Sequence, residues 1–206
     1  MKQFPFDRRF RLAESAGIMS MGRHVMDRFF RLALIICGVA CLLGCSTKYT
    51  INADDYQGYR GEINQHARLI HADRQKIFRL LTDEKAFTTL CPEGTVVAFE
   101  GPSPCQQGTI VTTGIKHIFE LGWTSRVDEV VPGERIRLSF HDGFFAGGTE
   151  LWELEDADGG TRVRQTIIVN PRGLIRRVFW NLKVRLKHNV MVEAFLDKLK
   201  VRAESP

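Results

Sequence analysis

The sequence predicts an α+β domain in which a curved antiparallel sheet of seven strands wraps around one long C-terminal helix, with two short helices after the first strand. Three observations predict this architecture. Segments of alternating apolar and polar residues follow one another from residue 95 to residue 169. Turn residues such as Pro132-Gly133 and Gly159-Gly160 separate these segments. The stretch from Leu174 to about Arg202 then contains neither glycine nor proline.

Each element has its own signal along the chain. A first strand is predicted at 66–71, where apolar and polar residues alternate weakly. Asp73 can cap a first short helix, and Pro92 ends a second one. The later strands are predicted at 95–100, 108–115, 119–127, 135–140, 149–155 and 162–169. Apolar residues at three- and four-residue steps predict the face of the long helix that packs on the sheet: Ile175, Val178, Phe179, Leu182, Leu186, Val190 and Ala194.

Composition and charge exclude several classes of protein. The chain has 206 residues, of which 44% are hydrophobic and 26% charged, so collagen-like, coiled-coil and wholly disordered chains are excluded. The net charge of +5 comes mainly from residues 1–44, which hold 7 of the 29 basic residues and 3 of the 24 acidic ones. The remainder is nearly neutral, so we expect no nucleic-acid partner.

Residues 1–44 have the pattern of a secretory signal peptide. Arg28 and Arg31 precede an uncharged apolar run, Leu32–Leu43. As a helix this run would span only about 18 Å, against about 30 Å for the hydrocarbon core of a bilayer. Its length is typical of a signal peptide rather than a transmembrane helix. Translation starting at Met21 or Met26 would give a compact basic segment before the run.

The end of this segment resembles the bacterial lipobox, in Leu42-Leu43-Gly44-Cys45. The resemblance implies cleavage before Cys45 and attachment of diacylglycerol to its thiol. Ser46 in the next position favours the periplasmic face of the outer membrane. Residues 45–64 would then form the lipidated cysteine and a polar tether, ahead of a domain over 65–203. The alternative is a buried apolar helix that happens to end in Gly-Cys.

The domain resembles the START-like superfamily, in its polyketide cyclase/dehydrase and lipid-transport group. Short motifs carry the resemblance: Ile70-His71-Ala72-Asp73 leading to Ile77-Phe78 and Leu81-Thr82-Asp83, then Trp123-Thr124-Ser125-Arg126-Val127, Pro132-Gly133-Glu134-Arg135-Ile136 and Asp158-Gly159-Gly160-Thr161-Arg162-Val163. The resemblance implies a helix-grip fold with an apolar cavity between the sheet and the long helix. It also implies binding of lipids or other hydrophobic molecules. We expect the ligand to be a lipid, a quinone or a similar molecule, and we expect no cofactor.

The inward side of the strands and helix supplies the candidate residues of such a cavity: Phe119, Leu121, Trp123, Ile136, Leu138, Phe140, Trp152, Leu154, Ile167, Phe179 and Leu182. Alternatively, these side chains close a solid core. Glu150 and Gln165 share the parity of the apolar set, so they would either orient a ligand's polar group or lie at the sheet edge in water.

The sequence favours binding over catalysis. It contains no nucleophile elbow, zinc-protease motif or phosphate-binding loop, and no Cys/His spacing typical of a metal site. The resemblance leaves open a cyclase or dehydratase that uses polar cavity residues, but such an enzyme needs an acyl-carrier partner that an exported lipoprotein would not meet. A third alternative is an envelope protein-interaction module with a filled core.

Two further features of the mature chain remain open. Cys91 and Cys105 would lie about six strand residues apart, which argues against a disulfide between them. The C-terminal part of the domain is rich in basic residues, which either form a solvated helix face or contact anionic lipid head groups: Arg172, Arg176, Arg177, Lys183, Arg185 and Lys187. The sequence does not predict an oligomeric state.

Overall fold

The computed structural model describes Tyr56, residues 58–116 and residues 121–206. The predicted signal peptide, Cys45 and Phe119 lie outside the described residues, and so does most of the predicted tether. The described part contains seven strands: β1 Glu62–Ile70, β2 Thr95–Glu100, β3 Ile110–Ile115, β4 Leu121–Val131, β5 Arg135–Phe140, β6 Thr149–Ala157 and β7 Gly160–Val169. Its helical segments are α1 Arg74–Thr82, α2 Glu84–Leu90, α3 Leu174–Phe179, a π-helical turn Trp180–Val184, and α4 Arg185–Glu204.

The seven strands form one antiparallel sheet in the order β1-β7-β6-β5-β4-β3-β2. Six strands follow one another as hairpins, and β1 closes the far edge against β7. The predicted fold class is therefore confirmed: a seven-stranded antiparallel sheet, two short helices after the first strand and a long C-terminal helix. β1 begins at Glu62, four residues earlier than its predicted start.

Local signals in the sequence account for the two short helices. The Asp73 side chain caps α1 by accepting hydrogen bonds from the backbone N–H groups of Gln75 (3.0 Å) and Lys76 (3.1 Å). Asp83 does the same for α2, where its carboxylate accepts from the Ala86 N–H at 2.8 Å. Each cap satisfies backbone donors that the helix itself leaves unpaired.

The concave face of the sheet packs against α4. Leu196 and Leu199 of α4 are fully buried, and the Phe195 ring lies 5.3 Å from the ring of Trp152 on β6. Val163 on β7 is also fully buried in this cluster. Burying a side chain of this size contributes roughly 1.5–3 kcal/mol, so this contact fixes the helix across the sheet.

The long helix buries a different face from the predicted one. Its buried residues recur mostly at four-residue steps from the π-helical turn onward: Trp180, Val184, Val192, Phe195, Leu196, Leu199 and Ala203. The predicted face is largely exposed, with Phe179 45% and Leu182 57% accessible, so neither residue faces the sheet. Both sets satisfy helical spacing, because this helix carries two apolar stripes. The sequence alone therefore did not identify the one that packs.

Tyr56, six residues before β1, covers part of the convex face of the sheet. Tyr56 is 4% exposed and packs against Leu151 and Ile168. Its hydroxyl donates to Glu153 (2.8 Å), and Gln65 Nε2 donates to that hydroxyl at 2.8 Å. Burial raises the pKa of Tyr56 to about 12. These contacts attach the chain to the sheet six residues before β1 begins.

Candidate functional site

An apolar cavity lies between the concave face of the sheet and the helices, with a volume of about 130 Å³. An engineered apolar cavity of about 150 Å³ stays dry and binds benzene, so the space here matches one ring or a short acyl segment. The wall includes Val97 on β2, Val111 on β3 and Phe195 on α4. Apolar voids are stabilised when an apolar ligand replaces the missing contacts.

Most of the predicted sheet residues line this cavity: Trp123, Ile136, Leu138, Phe140, Glu150, Trp152, Gln165 and Ile167. Leu154 is buried in the core outside the cavity, and Leu121 is half-buried at the start of β4. Phe179 and Leu182 lie on the exposed side of the helix and do not reach it. The helix instead contributes His188, Met191, Val192 and Phe195.

Glu150 and Gln165 form a polar group in the cavity wall, inside the fold rather than at a sheet edge. Glu150 Oε1 accepts hydrogen bonds from Trp152 Nε1 (2.9 Å) and Gln165 Nε2 (3.1 Å). Burial raises the pKa of the Glu150 carboxyl, which favours its protonated form. A protonated carboxyl can donate as well as accept a hydrogen bond.

Gln165 also carries an unpaired acceptor. The residue is 1% exposed, and its Oε1 accepts no hydrogen bond within the described part of the chain. Leaving such an acceptor buried without a donor costs about 1–3 kcal/mol. A donor on a bound molecule or a water would recover that free energy, so Oε1 marks a place for a hydrogen-bond donor.

A buried polar network joins β1 to α4 beside this group. His188 Nδ1 lies 2.9 Å from Asn64 Oδ1, and Asn64 Nδ2 donates to Asn189 Oδ1 at 3.0 Å. His66 Nε2 lies 3.1 Å from the same Asn64 oxygen, and His66 Nδ1 lies 2.6 Å from Glu193 Oε1. Because an amide oxygen only accepts, the proton of neutral His188 is on Nδ1.

His188 therefore presents its second nitrogen as an acceptor. Burial, with a smaller contribution from the neighbouring His66, lowers the pKa of His188 to about 3, so the ring is neutral. Among the described residues none donates to His188 Nε2, and the residue lines the cavity. Gln165 lies directly opposite His66 in the β1–β7 register, so the polar groups form one band across the sheet.

Cys91 and Cys105 also line the cavity, and both are free thiols. The sequence left their pairing open, and in the structure they are not paired. Burial raises the pKa of each thiol to about 11, so both remain protonated near neutral pH. A protonated buried thiol is a weak nucleophile and behaves as a small apolar side chain.

An aromatic cluster connects the cavity to the helix surface. Phe145 lines the cavity, its ring lies 5.0 Å from Trp123, and Phe144 lies 5.6 Å from Phe145. Phe144 in turn lies 5.9 Å from Phe179 on the exposed side of α3. These rings make a continuous apolar path from the cavity wall to the outside of the helix.

Comparison with solved structures agrees with this architecture. Protein CV1439 from Chromobacterium violaceum aligns with a TM-score of 0.54 and 18% identity, over 70% of this chain and 99% of its own. The KanY protein aligns with a TM-score of 0.60 and 13% identity, over 71% and 100%. The Aha1 dimer from Colwellia psychrerythraea aligns with a TM-score of 0.53 and 18% identity, over 69% and 96%. The fold is a helix grip. At these identities the likeness shows the helix-grip fold alone.

Sequence comparison does not assign the chain to a family. No family model matches the chain, and no curated protein matches it. Within the described ranges no group of His, Cys, Asp and Glu side chains could hold a metal ion. The helices of the same ranges include none that is both long and apolar enough to cross a membrane.

Sequence reasoning missed the contribution of α4 to the site. His188, Asn189 and Glu193 were not candidates, and neither were Asn64 and His66 on β1. A signal did exist, because His188 lies four residues after Val184 and eight after Trp180. Following the helical face from the one tryptophan of this segment would have placed His188 towards the sheet.

Proposed function

We propose that the protein is a membrane-anchored binding protein that holds a small hydrophobic molecule with one polar group in the cavity, as a carrier or sensor. The observation that carries the proposal is an apolar cavity whose wall contains the unpaired acceptor Gln165 Oε1. A void of about 130 Å³ also weighs against an interaction module with a filled core.

The polar groups define the chemistry of the ligand. Gln165 Oε1 and His188 Nε2 can each accept a hydrogen bond from a ligand, and Glu150 in its protonated form can also donate one. A hydroxyl group, as on an alcohol or a phenol, can donate to one acceptor while accepting from the carboxyl. We therefore expect an apolar body of about one ring that carries a hydroxyl, with any longer tail outside the cavity.

A pair of neighbouring valines tests binding in the cavity. Val97 is 9% exposed and lines the cavity, whereas Val96 is 50% exposed on the other side of β2. V97F fills the void and V96F changes only the surface. We expect native mass spectrometry of the mildly extracted protein to show ligand or added fatty-acid and quinone probes on wild type and V96F, and a loss of at least about tenfold in V97F. Equal binding by both variants would contradict the proposal.

The hydroxyl requirement is tested with two small probes, phenol and toluene. Nuclear magnetic resonance titration should show phenol favoured over toluene by roughly 5- to 150-fold, since one hydrogen bond to an otherwise unpaired buried group is worth about 1–3 kcal/mol. Q165L should reduce this preference, whereas V96F should leave it unchanged. Equal affinities of the wild type for the two probes would exclude a polar end to the site.

The membrane anchor is proposed on the sequence alone, through acylation of Cys45 and export to the bacterial envelope, with Ser46 favouring the periplasmic face of the outer membrane. An acylated cysteine carrying two or more chains gives stable membrane attachment. Mass spectrometry of the membrane-bound protein should show Cys45 as its acylated first residue. An exported protein with an unmodified Cys45 would remove the anchor and leave the cavity proposal intact.

One observation favours a second candidate, acid–base catalysis on a carbonyl compound. The cavity wall holds a carboxyl with a raised pKa, Glu150, and a neutral histidine with a lowered pKa, His188. Opposite shifts of this kind are typical of an acid and a base in one site. If the site is catalytic, wild type should speed exchange of the α-protons of a small ketone in deuterated water, and H188Q and E150Q should not. Identical exchange rates would exclude this candidate.

A further inference from the structure

The C-terminal helix exposes a continuous apolar surface that nothing in the described chain covers. We call it the outer stripe, and its members are Leu174, Ile175, Val178, Phe179, Leu182, Leu186 and Val190. Their exposed fractions run from 45% for Phe179 to 85% for Ile175. Scattered single apolar residues are normal on a surface, but a contiguous patch of this kind is typical of an interaction site.

The π-helical turn Trp180–Val184 keeps this stripe straight. Each step of four residues advances about 40° around an ideal α-helix, so a long series at that spacing would spiral away from one face. A π-helical turn takes up more residues per turn, which offsets part of that advance. The outer stripe therefore remains on one side of the helix, opposite the buried stripe that starts at Trp180.

Cations surround the outer stripe. Arg172, Arg176, Arg177, Lys183 and Lys187 are exposed, and Arg185 is half-buried. No acidic residue occurs between Thr161 and Val192. Lys183 lies 5.9 Å from the ring of Phe179, so positive charge directly borders the apolar surface.

We propose that the outer stripe docks on the surface of a bilayer containing anionic lipids, with its apolar side chains at the level of the acyl chains and its cations among the head groups. A helix with an apolar face flanked by Lys and Arg is typical of proteins that lie in the interface of a membrane. Juxtamembrane basic residues gain favourable energy from anionic head groups, about fivefold in affinity each.

The other occupants of such a face fit less well. The apolar run 32–43 of this chain is uncharged and offers no carboxylate to the six cations. A second copy placed symmetrically would bring the same cations against each other. An anionic lipid surface supplies both an apolar phase and the opposite charge.

Two contacts relate this face to the rest of the molecule. Glu62, the first residue of β1, lies 4.0 Å from Arg177, one of the cations that flank the stripe. Phe179 belongs to the apolar path through Phe144 and Phe145 to the cavity wall. Docking would therefore place that path next to the bilayer, a consequence that rests on the proposed ligand-binding function, whereas the docking itself does not.

Tryptophan fluorescence of the full chain in vesicles tests the proposal. L182W places a reporter on the outer stripe, and V96W places a matched reporter on an exposed position of β2. Both proteins keep the N-terminal segment, so any anchoring by it is common to both. In vesicles of phosphatidylcholine with about 30% phosphatidylglycerol, brominated acyl chains should quench the added emission of L182W at least about twofold more than that of V96W.

Charge reversal and measurements without vesicles distinguish docking on an anionic bilayer from docking of the chain's own N-terminal segment or of a second copy. Adding R176E and K183E to L182W, or using pure phosphatidylcholine vesicles, should reduce its quenching towards that of V96W. Equal quenching of L182W and V96W, or no effect of charge reversal, would overturn the proposal. A blue-shifted L182W emission without vesicles would also overturn it, indicating the chain's own N-terminal segment if concentration has no effect and a second copy if the shift grows with concentration. Unchanged thermal unfolding of L182W would show that the fold is intact.

Discussion

Replacing His188 with glutamine gives a direct test of the neutral histidine in the cavity wall. Burial holds the pKa of His188 at about 3 in the folded protein, against 6.5 for an unperturbed histidine. Between these values the unfolded chain binds a proton that the folded protein excludes. The contribution of His188 to stability is therefore fully present above about pH 6.5 and is lost as the pH falls below it.

The size of the effect follows from the two pKa values. Between about pH 8 and pH 5 the linkage removes about 2 kcal/mol from the free energy of unfolding of the wild type, and this figure barely changes so long as the folded pKa stays below about 4. H188Q has no such proton to bind. Any destabilisation that H188Q causes at pH 8 should therefore shrink by about 2 kcal/mol at pH 5.

Urea denaturation followed by circular dichroism at the two pH values measures this difference. The raised pKa of Glu150 acts in the opposite direction, since stability is lost as pH rises through its folded pKa, but both proteins carry Glu150 and the term cancels. V96A, at a half-exposed valine of β2, is the control and should change the free energy of unfolding by the same amount at both pH values. If the free energies of unfolding of wild type and H188Q differ by the same amount at both pH values, to within about 0.5 kcal/mol, His188 is not held neutral by the fold.

Three further predictions test the packing of the long helix, the cap of α1 and the environment of the two thiols. L196A should destabilise the protein by about 2–5 kcal/mol and L186A by less than about 0.5 kcal/mol in urea denaturation, because only Leu196 is buried against the sheet; equal losses would mean that the helix packs by the other face. D73A should cost about 1 kcal/mol by removing the cap of α1, and D73S should restore most of it; no loss in D73A would show that the cap hydrogen bonds add nothing. Cys91 and Cys105 should react with iodoacetamide at pH 8 far more slowly than a free thiol, and still more slowly with ligand bound, since burial raises both pKa values to about 11; fast alkylation in the folded protein would contradict that environment.

The sheet was predictable because alternation with period two fixes which side chains share a face. Glu150 and Gln165 were placed on the inward face by parity alone, and both line the cavity. Their mutual hydrogen bond was not predictable, because the strand register that makes them diagonal neighbours depends on the hairpin turns.

The helix was predictable in extent but not in orientation. Its two apolar stripes both satisfy helical spacing, and the choice between them depends on shape complementarity to the sheet, which periodicity does not contain. Phe179 and Leu182 were assigned to the cavity for that reason and are exposed. The polar network was missed because Asn64 and Glu193 are far apart in sequence and are joined through His66 when α4 packs on β1.

The attachment of Tyr56 to the convex face limits the length of chain between the folded domain and the proposed membrane anchor. If the first mature residue is Cys45 in a membrane, eleven residue steps separate it from Tyr56, a reach of roughly 36–40 Å even when fully extended. With a tether of that length, the protein would not carry a ligand from one membrane to another across a wide compartment. It would work within a few nanometres of a single leaflet, sampling molecules there or passing them to a partner that comes to it.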